Sequence, residues 1–551
     1  MRASKKPVER SQSAQVARSA GVVSLAILSS RITGLLREMI MAQKFGAGYA
    51  YDAYLLGFRI PNLTRDLFAE GALSAAFVPT FTSYVDQNKR EEAARLANLV
   101  ATAILVMVGS FVVIGSIFSP QLVLMMAPGY QQVPGKFQLA VHLTRVMFPF
   151  LLLISLSAQA MGILNACNQF GVPATASTCF NITSVVLGLL LGFGLGPYIG
   201  ISPIEGMGYG VVLGGIMQLL WQFPSLRRLG YKFRLDFAWN HPGLHQIFRL
   251  MIPAIVGNAA VQLNVMVNTN FASRISDPIR GADGPVSWLA YAFRFMQLPL
   301  GLFGVSFASA ILPSVSRSAA SGNLEEFRKT VSRSTGTVLL MTVPSSIGLI
   351  LLGKPIIGAI FQGGQFESYD TQQTALALSC YAVGLAGYAS TKIFNPAFYA
   401  LADARTPMLV SILSVAGNFA LAELLVTGLN FGISGLALST STVALCGCLV
   451  LFAILRRRLG GLEGRYLTGR FLRVAAATLA MAVPVAVVTR YMATHFGDSK
   501  QADILNLAVS IPLGAVLFFA AAMLLKIDEV GAAGRALKRR LVGLRVRIAD
   551  K

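Results

Sequence analysis

The stretch Ala97-Asn-Leu-Val-Ala-Thr-Ala-Ile-Leu-Val-Met-Val-Gly-Ser-Phe-Val-Val-Ile-Gly-Ser-Ile-Phe118 carries no charged residue. A helix needs about 20 mostly apolar residues to cross the ~30 Å hydrocarbon layer of a bilayer, and this stretch supplies them. Working outward from it, about fourteen hydrophobic stretches follow one another along the chain. They begin with 20–43, 50–83, 97–118, 139–163, 174–196, 205–224 and 246–270. They continue with 286–313, 335–352, 372–396, 407–429, 432–455, 474–490 and 503–525. The composition of the 551 residues agrees: 54% are hydrophobic and only 13% charged, with mean hydropathy +0.63. A soluble domain carries about 25% charged residues, so this chain cannot cover a water-soluble particle of its size. The reading is an all-α integral membrane protein with about fourteen transmembrane helices.

The second stretch is the weakest. It contains Asp52, Arg59, Arg65, Asp66 and Glu70, and Pro61 is expected to break or kink it. Net charge is +22, from 46 basic and 24 acidic residues. In a soluble protein that excess would suggest nucleic acid, but here most basic residues fall in short loops. With the N-terminus cytoplasmic, the inner loops and tails hold roughly 31 Lys/Arg, the outer loops about 7 and the spans about 8. Both termini are therefore expected in the cytoplasm, and no nucleic-acid partner is expected. Residues 1–19 form a basic tail rather than a cleaved signal, because Arg31 and Arg37 interrupt the following apolar segment and no small-residue cleavage site ends it. The C-terminal cluster Arg535, Lys538, Arg539 and Arg540 is read as cytoplasmic too.

A weak internal duplication is visible. Asn165-Ala-Cys-Asn-Gln-Phe-Gly-Val-Pro173 follows the fourth span, and Tyr399-Ala-Leu-Ala-Asp-Ala-Arg-Thr-Pro407 follows the tenth. Each loop ends in a proline that opens a span, and a Gly-rich span follows, near Gly206 and Gly432. An even number of spans separates the two, so the repeat is parallel. The expected organisation is a tail over 1–19, an N-terminal lobe over 20–228 and a C-terminal lobe over 229–457. Each lobe has six helices, related by a pseudo-two-fold axis along the membrane normal. Residues 458–551 then hold two further spans and a basic tail.

Charges within the apolar segments narrow the function. Arg31, Arg37, Arg65 and Arg294 all lie in or at the ends of such segments. One arginine at mid-bilayer costs about 2.5–3.5 kcal/mol on insertion scales, so four are tolerable when they face a wet cavity. The bland alternative is snorkelling, or pairing with neighbours such as Glu38 and Asp66. Guanidinium forks match phosphate oxygens, which points to a phosphate or diphosphate ligand. Arg31 and Glu38 share a helix face, whereas Arg37 points about 120° away unless Gly34 loosens the turn. Asp52 and Arg59 share a face and could pair.

Other chemistry is thinly supported. No Walker loop is present, so ATP hydrolysis by the chain is not expected. Cys446-Gly-Cys448 lacks companion ligands, and the five cysteines lie in or beside apolar stretches, so neither metal nor disulfide is expected. His241 and His245 have i,i+4 spacing, but Pro242 and Gly243 oppose a helix there. Gly206-x-Gly208-x-Gly210 is read as close helix packing rather than a nucleotide loop. Lys392 and Glu423 are lone charges in later spans, ion or proton sites at most. No nucleophile, base and orienter set stands out, and no cofactor is expected.

Several motifs resemble one known family. They include Ser30-Arg31-Ile-Thr-Gly34-Leu-Leu-Arg37 and the long stretch from Asp52 through Arg59-Ile-Pro61-Asn62, Arg65-Asp66 and Glu70-Gly71 to Pro79. Ser287-Trp288 to Arg294, Pro299-x-Gly301, Leu312-Pro313-Ser314, Ser321-Gly322-Asn323, Phe398-Tyr399-Ala400 and Arg405-Thr406-Pro407 fit as well. The chain resembles MurJ (MviN), the flippases for lipid II, over nearly its whole length. The resemblance implies the multidrug/oligosaccharidyl-lipid/polysaccharide exporter fold, with the two C-terminal helices forming a groove for the lipid tail. It implies that Arg31, Arg37, Arg65 and Arg294 are functional arginines facing a central cavity, with Asp52 an important acid and Ser30 part of the first motif. It further implies a bacterial inner membrane, lipid II and membrane lipids as partners, and an association with cell-wall synthesis proteins. The chain departs from the family at Phe293 and Gln297, where acids are common. A sodium site found in some members is not carried over, because Ala422 follows Asn418 by one turn and Glu423 lies off that face. The alternatives are an exporter of another lipid-linked polysaccharide, a metal-dependent enzyme built on Asp52, Asp66 and Glu70, and a scaffold for cell-wall enzymes.

Overall fold

A computed structural model describes residues 6–66 and 73–527, with side chains over the same residues except 6–24, 74, 75, 253, 254 and 256–258. Glu70, the start of the N-terminal tail and the basic C-terminal cluster lie outside the described residues. The described chain is almost wholly helical, with only isolated bridge residues besides, such as the pair Gly363 and Phe366. A helix or a pair of helices lies over each of the fourteen apolar stretches. Among the described residues, nine helices are long and apolar enough to cross a membrane.

Packing divides the chain into two compact units. The first comprises residues 1–274 and 278–284. It contains α1 (Lys6–Phe45), α2 (Tyr49–Arg65), α3 (Ser74–Asp86), α4 (Arg90–Ile117), α5 (Ser119–Met126) and α6 (Lys136–Met147). It continues through α7 (Phe150–Ala166), α8 (Gly171–Leu189), α9 (Gly196–Ile199), α10 (Pro203–Leu220), α11 (Phe223–Arg228) and α12 (Pro242–Arg274). Packing keeps α12 with the first unit. The reason is visible in the core: Leu244 and Ile247 of α12 are buried with Phe77, Phe81, Leu96 and Val100 of α3 and α4.

The second unit comprises 275–277 and 285–551. Its described helices are α13 (Pro285–Pro299), α14 (Ser306–Ala320), α15 (Leu324–Phe361), α16 (Ser368–Val383), α17 (Leu385–Ala400), α18 (Arg405–Ala422), α19 (Gly432–Arg458), α20 (Gly464–Phe496) and α21 (Lys500–Leu524). Phe327, Val331 and Val338 of α15 pack with Phe394 and Phe398 of α17 and Leu451 and Leu455 of α19. The two last helices dock on α15, where Val474, Ala477, Met481 and Phe518 meet Leu340 and Leu352.

Two local expectations need correcting. Pro61 does not break its helix: α2 runs through it to Arg65. A proline removes one backbone hydrogen bond, which a helix packed among neighbours can absorb. Pro242 likewise does not prevent a helix. It stands at the first position of α12, where its missing N–H is harmless, and His241 Nδ1 accepts the Gly243 N–H at 3.2 Å.

The glycines read as packing devices are that. A Cβ on Gly206 would lie 2.3 Å from Gly192 N, and one on Gly210 would lie 2.4 Å from Ser184 O, so α10 meets α8 at backbone contact. The two loops of the duplication also share backbone geometry. Asn168 and Ala402, which align, both have positive φ, at 60° and 56°. The following N–H groups, of Gln169 and Asp403, reach back to the carbonyls of Leu164 and Phe398 at 2.8 and 2.9 Å, the Schellman closure of a helix end. Asp403 then accepts the Arg405 and Thr406 N–H groups and pairs with Arg458. The Thr406 hydroxyl and N–H hold its carboxyl below the usual range. Both α8 and α18 end in a π-helical turn, 190–195 and 423–428.

Candidate functional site

In the first unit α1 is continuous through Gly34. The turn is not loosened, and Arg31 and Arg37 stay about 120° apart. Arg31 is exposed. Arg37 is covered: its Nη2 donates to Glu38 Oε1 at 3.2 Å, and its guanidinium lies 5.9 and 5.7 Å from the ring centres of Phe58 and Phe180. Glu38 is buried and also accepts from Tyr51 Oη at 3.1 Å. A buried carboxylate needs such donors, and a guanidinium between aromatic faces keeps its charge while shedding water. The result is a preformed cationic group with a fixed orientation. Ser30 contributes its carbonyl, which accepts from Asn181 Nδ2 at 3.2 Å and ties α1 to α8.

Arg65 closes α2 with Nε and Nη2 both on Asp66 Oδ1, at 3.2 and 2.8 Å. Both side chains keep some solvent exposure. Arg59 Nη1 donates to Thr269 Oγ1 of α12 at 2.6 Å.

Asp52 sits in a different setting from the arginines. It is fully buried, and Lys136 Nζ, also fully buried, lies 2.8 Å from its Oδ2. The same ammonium donates to Asp283 Oδ1 at 2.7 Å and to the Ala282 carbonyl at 2.9 Å, and the Gly284 N–H reaches Asp52 Oδ2 at 2.9 Å. Gly284 holds φ 109°, a conformation open to glycine. Tyr130 Oη donates to the Asp52 carbonyl, and Lys136 Nζ sits 4.5 Å from the Tyr130 ring centre. Burial, with the Asp52 charge next, raises the Tyr130 phenol well above its ordinary value. In this arrangement the Asp52 carboxylate fastens the 282–284 loop to α2 and α6 and presents no surface to a ligand. The sequence reading overlooked Lys136. The available signal was a lone lysine at the head of an apolar span, and a buried aspartate that needed a cation.

In the second unit Arg294 is exposed on α13. The helix is held by Trp288, whose Nε1 donates to Asp370 Oδ1 at 3.0 Å. Phe293 packs edge-on against Tyr381, 5.4 Å between ring centres, and Gln297 is exposed. Asn418 is buried and accepts from Ser439 Oγ at 3.1 Å, while Lys392 and Glu423 are exposed. The structure thus groups Arg37 with Glu38, Tyr51 and Phe58. It sets Asp52 in a separate network, closes α2 with Arg65, and carries Arg294 on the other unit. Among the described residues no three His, Cys, Asp or Glu side chains cluster as metal ligands, and the five cysteines are free.

A family model described as "Lipid II flippase MurJ" matches residues 41–507. The chain belongs to the MurJ family. A probable lipid II flippase MurJ of Vibrio cholerae is 32% identical over 527 residues, covering 93% of this chain and 97% of its own. Lipid II flippase MurJ of Burkholderia cenocepacia is 32% identical over 444 residues, 79% of this chain and 83% of its own. A solved lipid II flippase MurJ in an inward closed conformation matches with TM-score 0.74 and 26% identity, over 92% of this chain and 99% of that one. An inward-facing multidrug transporter of the MATE family, in the MOP superfamily, matches at TM-score 0.61 and 14% identity, over 80% and 95%. That second likeness shows a shared fold alone. Like its family, the chain is a multi-pass membrane protein of the transporter kind.

Proposed function

We propose that this chain flips lipid II from the cytoplasmic to the periplasmic leaflet of a bacterial inner membrane, by alternating access. The observation that carries the reading is the match of the family model to residues 41–507, on a chain that places Arg31, Arg37, Arg65 and Arg294 in or at the ends of apolar segments. Arg31, Arg37 and Arg65 of the first unit and Arg294 of the second would bind the diphosphate. Arg37, already oriented by Glu38 and two aromatic rings, offers the best-ordered fork. Asp52 would act by holding the 282–284 loop rather than by touching substrate. The chain would cross the membrane fourteen times with both termini cytoplasmic, as two parallel six-helix lobes with α20 and α21 added. The matching Schellman closures at Asn168 and Ala402 and the paired π turns favour that repeat. Association with cell-wall synthesis proteins belongs to the same reading.

The test depletes a host of its own lipid II flippase and supplies this chain. The readout is the fraction of precursor that an impermeant hydrolase cleaves from outside. Wild type should restore cleavage, and well-expressed Arg294→Ala should lose it by at least tenfold, the scale of one charge-assisted contact of about 1.5–3 kcal/mol. Cleavage restored equally by both would remove Arg294 from the mechanism. No cleavage with a correctly inserted wild type would favour export of another lipid-linked polysaccharide.

A further inference from the structure

The first unit holds a cleft that none of the arginines above lines. It has a volume of 760 Å³ and lies beside the N-terminal half of α4, against α7, α10 and α11. Its apolar lining includes Ala101, Leu105, Leu156, Ile163, Leu219 and Phe223, of which Ala101 and Ile163 are buried. Its rim carries Arg227 and Lys232. The volume falls within the ~300–1,000 Å³ typical of small-molecule sites.

One wall is the irregular segment 231–238, which leaves α11 and runs along α4. Backbone without regular structure beside lipid needs its N–H groups satisfied. Asn98 Oδ1 accepts the Arg234 N–H at 3.2 Å, and one turn further along α4 Thr102 Oγ1 accepts that of Asp236 at 3.1 Å. The Asp236 carboxylate is taken up by Arg95 and by the Ala238 N–H. That leaves Arg227 and Lys232 as positive charge lining the cleft, with Arg228 and Arg234 close to them in the chain. Phe233 and Phe237 of the segment, and Trp239 just after it, are exposed, as aromatic side chains are at a membrane interface.

We propose that this cleft binds one anionic phospholipid, its phosphate on Arg227 and Lys232 and an acyl chain along Ala101 and Leu105. Charge complementarity selects the occupant. A zwitterionic lipid would cover the apolar lining but leave the cationic rim unmatched, and a soluble anion would leave the apolar lining uncovered. The site is separate from the arginines assigned to lipid II.

The chain has three tryptophans, of which Trp288 is fully buried in the second unit. Trp221, between the lining residues Leu219 and Phe223, and Trp239, just after the segment 231–238, are exposed. Purified full-length protein is reconstituted with brominated phosphatidylglycerol or brominated phosphatidylcholine at matched mole fractions, and tryptophan quenching is read. The proposal expects excess quenching by the phosphatidylglycerol that saturates at low mole fraction. The excess should be lost in Arg227→Gln/Lys232→Gln, and also in Ala101→Phe, which fills the groove and leaves the rim charged. Leu105→Phe, at an exposed position, serves the same purpose if the first filled variant does not assemble. Equal quenching by the two lipids in wild type would overturn the proposal. So would an excess that survives filling of the groove, because that reports a charged surface without a chain site.

Discussion

Lys136 is an ammonium with no exposed side-chain surface, held 2.8 Å from Asp52 and 2.7 Å from Asp283. Removing one partner from such a buried set leaves charge without compensation, at about 3–5 kcal/mol. Lys136→Met should therefore lower the unfolding free energy of the purified protein by that order. Adding Asp52→Asn to Lys136→Met should restore part of it. A double-mutant cycle in denaturant measures the coupling, and strict additivity would show that the pair is not a unit. Arg37 illustrates a different balance. Its charge is matched by Glu38, yet its position against Phe58 and Phe180 is fixed from two other helices, which is what a binding group requires. The cost of intramembrane charge pointed to Arg31, Arg37, Arg65 and Arg294 from sequence alone. It could not separate Arg37, covered and oriented, from Arg31, exposed on another face of the same helix. That distinction depends on neighbours 21 and 143 residues away, Phe58 and Phe180.

At the scale of elements, the contact of α8 with α10 rests on missing side chains. Gly206 and Gly210 let the backbones touch, and any Cβ at either position would overlap main-chain atoms that cannot rotate aside. Gly210→Val should separate the helices, and overpacking of this kind typically costs about 1–3 kcal/mol. The check is a fall in the midpoint of thermal aggregation, with Gly109→Val as a control, since a Cβ there meets nothing within 4 Å. Equal falls would show that the contact is not specific. Helix existence was readable because apolar runs of membrane length carry their own signal. Helix continuity was less so: Pro61 was expected to break or kink its span and Pro242 to oppose a helix, whereas α2 continues through Pro61 and α12 begins at Pro242.

For the whole molecule the driving force follows from the charge that is moved. A diphosphate of charge about −2 moving outward gains roughly 4–5 kcal/mol per 100 mV of inside-negative potential. Dissipating the potential with an ionophore should slow precursor exposure in cells that depend on this chain, while the protein stays folded in the membrane. Unchanged exposure would remove membrane potential as the energy source. By itself the amino-acid sequence determined that this protein lies in a membrane, that it is helical, and which arginines stand where apolar residues belong. Those properties are sums over neighbouring residues, because transfer free energy accumulates along a span. Only the tertiary structure decided that Lys136 answers Asp52, that α12 packs with the first unit, and that the segment after α11 lies along α4 to wall a cleft. Those depend on residues far apart in the chain coming within bonding distance, and no local sum contains that information.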